Sequence, residues 1–487
     1  MRAHPLMFLV YAVCASALGV PASVDARVPQ RPPNFIFLMA DDLGYGDTGF
    51  NGNSVIRTPH MDRLAAAGIR FERFYSIGPV CAPTRAASLT GRHYMRMGLM
   101  NVNDGKLPAQ EITLAQVCRE RGYATGHFGK WHLGSLSRTE SPRRSQPAKD
   151  FAPPWERDYD EGFATEISVP TWNPASGEFP RHNAPYWHNG RKVSDNLEGD
   201  DSRVIMDRAI PFIQQAVAAE QPFMTTIWFH APHSPVVAGP EYLNMYPEHP
   251  EGAQHYYGCI TAMDAQIGRL HAELKRLGVA QHTVLWFCSD NGPEGGGRPK
   301  PHYDGYHGAF YGQTGAFRGR KRSLLNGGVC VPAFVLWPQA IAAGQHLAVP
   351  CSTLDYLPTL CELIGREPPQ DRPLDGESLL PLLLGKTATR SSSIPFATNL
   401  KGPHAALIQG PFKLWTALNS ANAAALYHLY DDPAEAANLI AEHPELAQSM
   451  QAELRGWLAS CRRSFEGEDY DEPYEPQGSF LKSNTFK

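Results

Sequence analysis

Asn34-Phe35-Ile36-Phe37-Leu38-Met39-Ala40-Asp41-Asp42 is the stretch on which the fold turns. Its unbroken apolar run lacks the polar alternation of a half-exposed strand, so it reads as a strand buried on both faces. The run stops at two carboxylates and passes into the flexible Leu43-Gly44-Tyr45-Gly46-Asp47. Working outward, comparable strand patterns occupy residues 69–75, 123–129, 223–229, 283–288 and 331–337. Helical patterns lie between them at 58–67 (closed by Gly68), 113–121, 202–219, 256–277 and 352–364. Strands alternating with helices predict an α/β fold, a sheet with helices on both faces. The pattern fails over residues 133–200, which are rich in Pro, Trp, Tyr and charge. Irregular stretches of that length are usually functional. Past residue 385 the character changes. Short strands at 405–409, 412–416 and 425–430 and an amphipathic helix at 443–460 predict a small antiparallel sheet with one packed helix.

The predicted organisation is therefore a leader at 1–26, a large domain at 27–385, an α+β subdomain at 386–463 and an acidic tail at 464–487 that wraps the surface or stays disordered. Arg2, the apolar run from Leu6 to Val20 and the small residues before Arg27 have the form of a cleaved signal peptide, too short to span a membrane. We therefore expect an exported protein, periplasmic or secreted, with no membrane span. The lack of any N-x-S/T sequon is in keeping with a bacterial setting. At 43% hydrophobic and 19% charged the chain has an ordinary globular composition, and its net charge of −5 argues against a nucleic-acid partner. Eight cysteines remain beyond Cys14. Their spacing fits neither a disulfide framework nor paired C-x-x-C zinc elements, although Cys351 and Cys361 could pair.

Cys81-Ala82-Pro83-Thr84-Arg85 follows the break at Gly78-Pro79 and opens a short helix closed by Gly91. A thiol at a helix N-terminus, with Arg85 one turn on, is expected to have a lowered pKa and to be reactive. Polar residues also gather where the buried strands end: Asp41 and Asp42, Lys130 and His132, His230 and His233, Asp290 and Asn291. Each cluster alone reads as an ordinary turn, cap or solvated loop. In open α/β sheets, however, ligands bind at the carboxyl ends of the strands, so the four can converge. Three carboxylates and an amide oxygen form a hard donor set suited to Ca²⁺ or Mg²⁺, and the adjacent charges of Asp41 and Asp42 repel unless a cation lies between them.

These pieces together resemble the type I, formylglycine-dependent sulfatases of the alkaline-phosphatase-like superfamily, of the arylsulfatase and N-acetylgalactosamine-sulfatase kind. The resemblance rests on Met39 to Asp47, Cys81-Ala82-Pro83-Thr84-Arg85-Ala86, Leu89-Thr90-Gly91-Arg92, Gly129-Lys130-Trp131-His132-Leu133-Gly134, His230-Ala231-Pro232-His233-Ser234-Pro235 and Ser289-Asp290-Asn291-Gly292. The segment from Leu426-Tyr427 to Asn438-Leu439 is similar to the family's closing subdomain. The resemblance implies a large mixed, mostly parallel sheet sandwiched by helices, with a small antiparallel sheet behind it. It implies that a maturation enzyme oxidises Cys81 to Cα-formylglycine, whose hydrate attacks sulfur, and that Asp41, Asp42, Asp290, Asn291 and residue 81 hold a metal, usually Ca²⁺. Arg85 would orient the hydrate and His132 would act as base on its second hydroxyl. Lys130 and Lys321 would grip sulfate oxygens and His233 would protonate the leaving oxygen, with His230 a lesser contributor.

The chain departs from the family pattern at residues 320–332, where Asn326 and Cys330 replace the usual acid and arginine; Arg320 or Arg322 could then compete with Lys321. A sulfuric ester hydrolase leads the alternatives, ahead of a phosphonate or phosphate monoester hydrolase of the same superfamily and an inactive sulfated-glycan-binding relative. The expected substrate is a sulfated oligosaccharide, with specificity in residues 135–200 and 292–311, the latter carrying His302, Tyr303, Asp304, Tyr306 and His307. Trp155, Trp172, Trp187, His182 and His188 are the candidates for a sugar-stacking wall.

Overall fold

The computed structural model describes residues 32–295, 309–400, 402–420, 423–478 and 480–481. The signal-peptide segment and the 302–307 cluster lie outside them. The strands are β1 (Asn34–Ala40), β2 (Ile69–Tyr75), β3 (Ala124–Lys130), β4 (Glu161–Thr165), β5 (Trp187–His188), β6 (Arg191–Lys192), β7 (Phe223–Trp228), β8 (Thr283–Ser289), β9 (Cys330–Leu336), β10 (Gln345–Leu347), β11 (Cys351–Ser352), β12 (Ile394–Thr398), β13 (His404–Gln409), β14 (Phe412–Ala417) and β15 (Ala424–His428). One large sheet runs β10-β2-β9-β8-β1-β7-β3-β4-β5-β6, with β11 also on β2; β12 to β15 form a second, antiparallel sheet. β1 lies at the centre, parallel to β7 and β8, and β3 is parallel to β7. β9 is antiparallel to both β2 and β8, which makes the sheet mixed.

Every residue of β1 is buried because the strand feeds two cores. Phe35, Phe37 and Met39 join the core that includes the Cys81–Thr90 and Tyr356–Leu363 helices and the small sheet. Ile36, Leu38 and Ala40 join the core under the Pro59–Ala66, Asp201–Ala218 and Glu251–Arg276 helices. Alternate side chains thus pack on opposite layers, the period of two that a doubly covered strand requires.

Six strands escape the sequence pattern, β4, β5, β6, β10, β11 and β12; four of them, β5, β6, β10 and β11, are only two or three residues long. β4 is short and contains Gly162, and β3 beside it supplies its pairing. β12 contains Pro395, tolerable because it is an edge strand. Two helices run longer than their apolar stripes: Glu251–Arg276 starts just after Pro250, and the last helix covers Pro444–Phe465. The acidic tail wraps the body, with Asp469 pairing with Arg92 at 2.5 Å and Tyr474 Oη donating to Met97 O at 3.2 Å. Cys351 and Cys361 do not pair; both are free, buried thiols. No helix among the described residues is long and apolar enough to cross a membrane.

A fully buried ion pair ties the small sheet to the large one. Lys413 of β14 meets Glu435 at 2.8 Å, and Lys413 Nζ also donates to Asn326 Oδ1 at 3.0 Å. Glu435 Oε2 accepts from Asn326 N at 2.6 Å. The pair thus anchors the turn in which Asn326 and Cys330 depart from the family pattern. Lys413→Met leaves Glu435 buried without its cation, so we expect a loss of about 3–5 kcal/mol. Thermal unfolding of the variant beside the parent protein checks this.

Candidate active site

β1, β3, β7 and β8 run parallel, so their carboxyl ends lie along one edge. Ala40 is in register with Ser289, which sets Asp41 and Asp42 beside Asp290 and Asn291. Asp42 adopts φ 65°, a left-handed turn that short polar side chains tolerate, and its N–H donates to Asp290 Oδ1 at 3.2 Å. The Cys81–Thr90 helix approaches the same edge, preceded by extended Val80 and ended by Gly91 at φ 66°. Cys81 is its first residue, and its thiol donates to Asp41 Oδ1 at 3.2 Å. Carboxylate oxygens of Asp41, Asp42 and Asp290 and the Cys81 sulfur all lie within 4.8 Å of one another.

Three cations face these three carboxylates. Arg85 Nε and Nη2 donate to Asp290 Oδ2 at 3.1 and 2.7 Å, Nη1 donates to Lys130 O, and the guanidinium lies 5.0 Å from the Trp228 ring. Lys130 Nζ reaches Asp41 Oδ2 at 2.5 Å and Lys321 Nζ reaches Asp42 Oδ1 at 2.6 Å, all deeply buried. Burial alone would raise Asp41, yet Lys130, His233, Arg85 and Lys321 hold it well below the usual carboxylate range. Asp42 is pushed up by burial and by Asp41 despite Lys321. Asp290 rises to about 7 through burial and Asp41, with Arg85 opposing. Two of the three carboxylates are thus poorly stabilised as anions by the protein's own cations.

That imbalance is one reason the cluster suits a divalent cation. Asn291 supplies another: its Nδ2 donates to Asp42 Oδ1 at 2.7 Å and to Gly292 O, while its Oδ1 is buried without a partner. Three carboxylates and a spare amide oxygen are the hard, all-oxygen set that Ca²⁺ and Mg²⁺ take.

The low-pKa thiol expected at Cys81 is overturned. Burial, then Asp290 and Asp41, push it well above the ordinary thiol value, and Lys130 and Lys321 do not compensate. The helix terminus is real, but two carboxylates and full burial outweigh its partial charge.

A cleft of about 200 Å³ opens over Cys81, and His132, His233, Lys321 and His182 are among the residues that line it. His132 is buried at φ 61° with Nδ1 unpartnered. His233 Nε2 lies 3.8 Å from Asp42 Oδ2, its Nδ1 meets Ser234 O at 2.6 Å, and its ring stands 6.5 Å from that of His182. His230 is not in the cleft: Nδ1 meets Asp201 Oδ2 at 2.7 Å and Nε2 meets Thr165 Oγ1 at 2.8 Å, so both nitrogens are engaged and the ring braces the end of β7. Arg320 does not compete with Lys321, because its guanidinium donates to the carbonyls of Glu294 and Gly312. Arg322 lines the cleft but is tied to Glu294 at 2.5 and 2.9 Å.

Of the aromatic candidates only His182 lines the cleft. Trp155 and Trp187 pack on the main core, Trp172 lies against Gly239 and lines a separate cavity, and His188 faces Glu161 at 3.4 Å. Sequence reading missed Glu294, which sits 3.7 Å from Lys321 and pairs with Arg322. Its place directly after Asn291-Gly292-Pro293 was the available signal. Asn101, Asn103 and Arg143 of the cleft wall come from irregular segments and gave none.

Comparison with known proteins agrees with this geometry. The Sulfatase family model matches residues 33–366, and that of the N-sulphoglucosamine sulphohydrolase C-terminal region matches residues 312–464. Mouse N-acetylgalactosamine-6-sulfatase is 33% identical over 392 residues, covering 76% of this chain and 69% of its own. Human arylsulfatase A is 33% identical over 393 residues, covering 75% and 70%. Among solved structures, that of Ps i-CgsB in complex with k-i-k-neocarrahexaose superposes with a TM-score of 0.77 at 26% identity, covering 91% of this chain and 95% of that one. A phosphonate monoester hydrolase from Agrobacterium radiobacter shares the fold at a TM-score of 0.61 and 20% identity, covering 88% and 96%. With a matching model over more than two thirds of its length and the Cys81–Thr90 helix set against the acidic strand ends, the chain belongs to the type I sulfatase family, of the alkaline-phosphatase-like fold.

Proposed function

We propose that the protein is an exported, periplasmic or secreted sulfuric ester hydrolase that removes sulfate from a sulfated carbohydrate, with Cys81 matured to Cα-formylglycine and Ca²⁺ as its metal. The observation that carries this reading is the buried Cys81 at a helix start, its sulfur within 4.8 Å of oxygens of Asp41, Asp42 and Asp290. A fully buried, high-pKa thiol is a poor nucleophile by itself, which favours its being a precursor. The carbohydrate substrate is supported by the N-acetylgalactosamine-6-sulfatase and neocarrahexaose-bound relatives.

When present, Ca²⁺ held by Asp41, Asp42, Asp290 and Asn291 supplies positive charge at the sulfate oxygens, and the formylglycine hydrate supplies the attacking hydroxyl. The chain's own residues do the rest. Arg85, locked by Asp290 and by Lys130 O, orients residue 81. Lys130 and Lys321 set two further cations around the sulfate, preorganised by burial, where charge stabilisation is strongest. His132, with Nδ1 unpartnered, takes the proton from the second hydroxyl as sulfate is expelled. His233, at the cleft, gives a proton to the departing alcohol oxygen.

The test is turnover of 4-nitrophenyl sulfate, 4-nitrophenyl phosphate and phenyl phosphonate esters by matured protein. Sulfate preference is expected; preference for phosphonate would replace the reading with the superfamily's other chemistry. His233 adds a pH prediction. Burial holds its pKa well below the ordinary imidazole range, with Asp41 opposing and Lys130 and Lys321 reinforcing. Its protonated fraction therefore falls as pH rises through that lowered pKa, so kcat/KM on a sugar sulfate should fall on the alkaline side. His233→Ala should flatten that limb and cost about 10²-fold with a sugar leaving group. The cost should be much smaller with 4-nitrophenol, which leaves without a proton. Equal losses on both substrates would remove His233 from the acid role.

A further inference from the structure

Among the described residues that line the cleft over Cys81 there is no carboxylate, and its cations differ in what they already hold. Lys321 is engaged by Asp42 and Arg322 by Glu294. Arg143 has no carboxylate partner among the described residues. Nη2 donates to Arg181 O at 3.1 Å, and among the described residues no other side-chain hydrogen bond of Arg143 is formed. The neighbouring Arg144 is neutralised by Asp150 and Glu166, both at 3.3 Å, whereas Arg143 lines the cleft wall. Arg143 stands close enough to His182 to help burial hold that ring down at about 4, leaving a neutral imidazole beside a permanent cation. His182 Nδ1 meets Ser168 Oγ at 3.3 Å, and its ring faces His233.

Size matters too. At about 200 Å³ the cleft accommodates a sulfate and the atoms next to it, below the roughly 300–1,000 Å³ of a site enclosing a whole small ligand. The rest of an oligosaccharide therefore extends beyond the cleft, and the wall that carries His182 and the exposed Arg143 is one of the faces it can meet.

We propose that Arg143 and His182 form a subsite for a second anionic group on the substrate, a sulfate or a carboxylate on the sugar portion beyond the scissile ester. This rests on the sulfatase reading and makes Arg143 a specificity-determining residue: its charge selects polyanionic over singly sulfated substrates. A guanidinium can grip either anion through paired N–H donors. Because the side chain is exposed, the gain is moderate and screened by salt.

The test compares matured wild-type enzyme with Arg143→Ala and Arg143→Lys on four substrates. These are 4-nitrophenyl sulfate, a monosulfated disaccharide, the same disaccharide with a second sulfate on the neighbouring sugar, and its counterpart with a uronate carboxylate there. Wild type should prefer one of the two doubly anionic disaccharides, and which one identifies the anion. Arg143→Ala should lower kcat/KM on that substrate about tenfold, through KM, and leave 4-nitrophenyl sulfate within about twofold. Arg143→Lys should recover part of the preference, and added salt should shrink it. Equal losses on all four substrates would make Arg143 merely structural. Wild-type preference for the monosulfated disaccharide, or no change in Arg143→Ala, would overturn the proposal while leaving the sulfatase reading intact. Failure of wild type on every sulfate, 4-nitrophenyl sulfate included, would remove both.

Discussion

Cys81→Ala is expected to lose turnover completely while remaining folded. The side chain is fully buried but small, and its thiol donates to Asp41. Removing one sulfur from a helix start leaves a small void and a carboxylate that keeps Lys130 as its partner, so the stability change should stay within about 1–2 kcal/mol. The kinetic loss is of another order. On the proposed mechanism the variant keeps its cations but has no covalent route, and a loss of at least about 10⁴-fold is expected. Cys81→Ser should behave likewise unless the host matures serine: a plain alcohol carries no second hydroxyl with which to expel sulfate. Near-UV circular dichroism and thermal unfolding establish the fold, and initial rates on 4-nitrophenyl sulfate establish the loss. Activity retained in Cys81→Ala would displace residue 81 from the chemistry.

Asp290→Asn is the second large effect, and it should act on metal, stability and rate together. Asp290 is both a candidate metal ligand and the principal carboxylate partner of Arg85, whose Nη2 is otherwise 3.5 Å from Asp41 Oδ2. The variant preserves shape but leaves a buried guanidinium short of one negative charge, which should cost about 3–5 kcal/mol. It also removes one of three anions from the cation site. The parent protein should gain thermal stability on adding Ca²⁺ and lose it with a chelator, because a ligand that binds only the folded state stabilises it by mass action. Asp290→Asn should show a much smaller Ca²⁺-dependent shift, and turnover should fall about a thousandfold or more. A calcium-induced shift equal to that of the parent would take Asp290 out of the metal site.

Much of this was legible in the sequence because the large sheet is built from doubly buried strands. A run such as 34–40 that is apolar on both faces has few other homes, and once the central strands are parallel their polar ends must share an edge. The Cys81–Thr90 helix was equally readable: Gly91 at φ 66° stops it, and position 81 opens it. What escaped depended on tertiary partners. β4 exists because β3 offers it an edge, and β12 accommodates Pro395 because one of its sides is free. His230 looked like a site residue until Asp201 and Thr165 were seen to occupy both its nitrogens. The thiol was misjudged for a related reason: helix position is a sequence property, whereas the two carboxylates that raise its pKa arrive from strands far away in the chain.

The most direct test of the central claim is a mass spectrum of the peptide carrying position 81, taken on preparations matured to different extents and set against their specific activities on a sulfate ester. The account predicts an aldehyde at position 81 in a fraction that rises in proportion to activity, with none in inactive protein. Full activity with an unmodified Cys81 thiol throughout would contradict it.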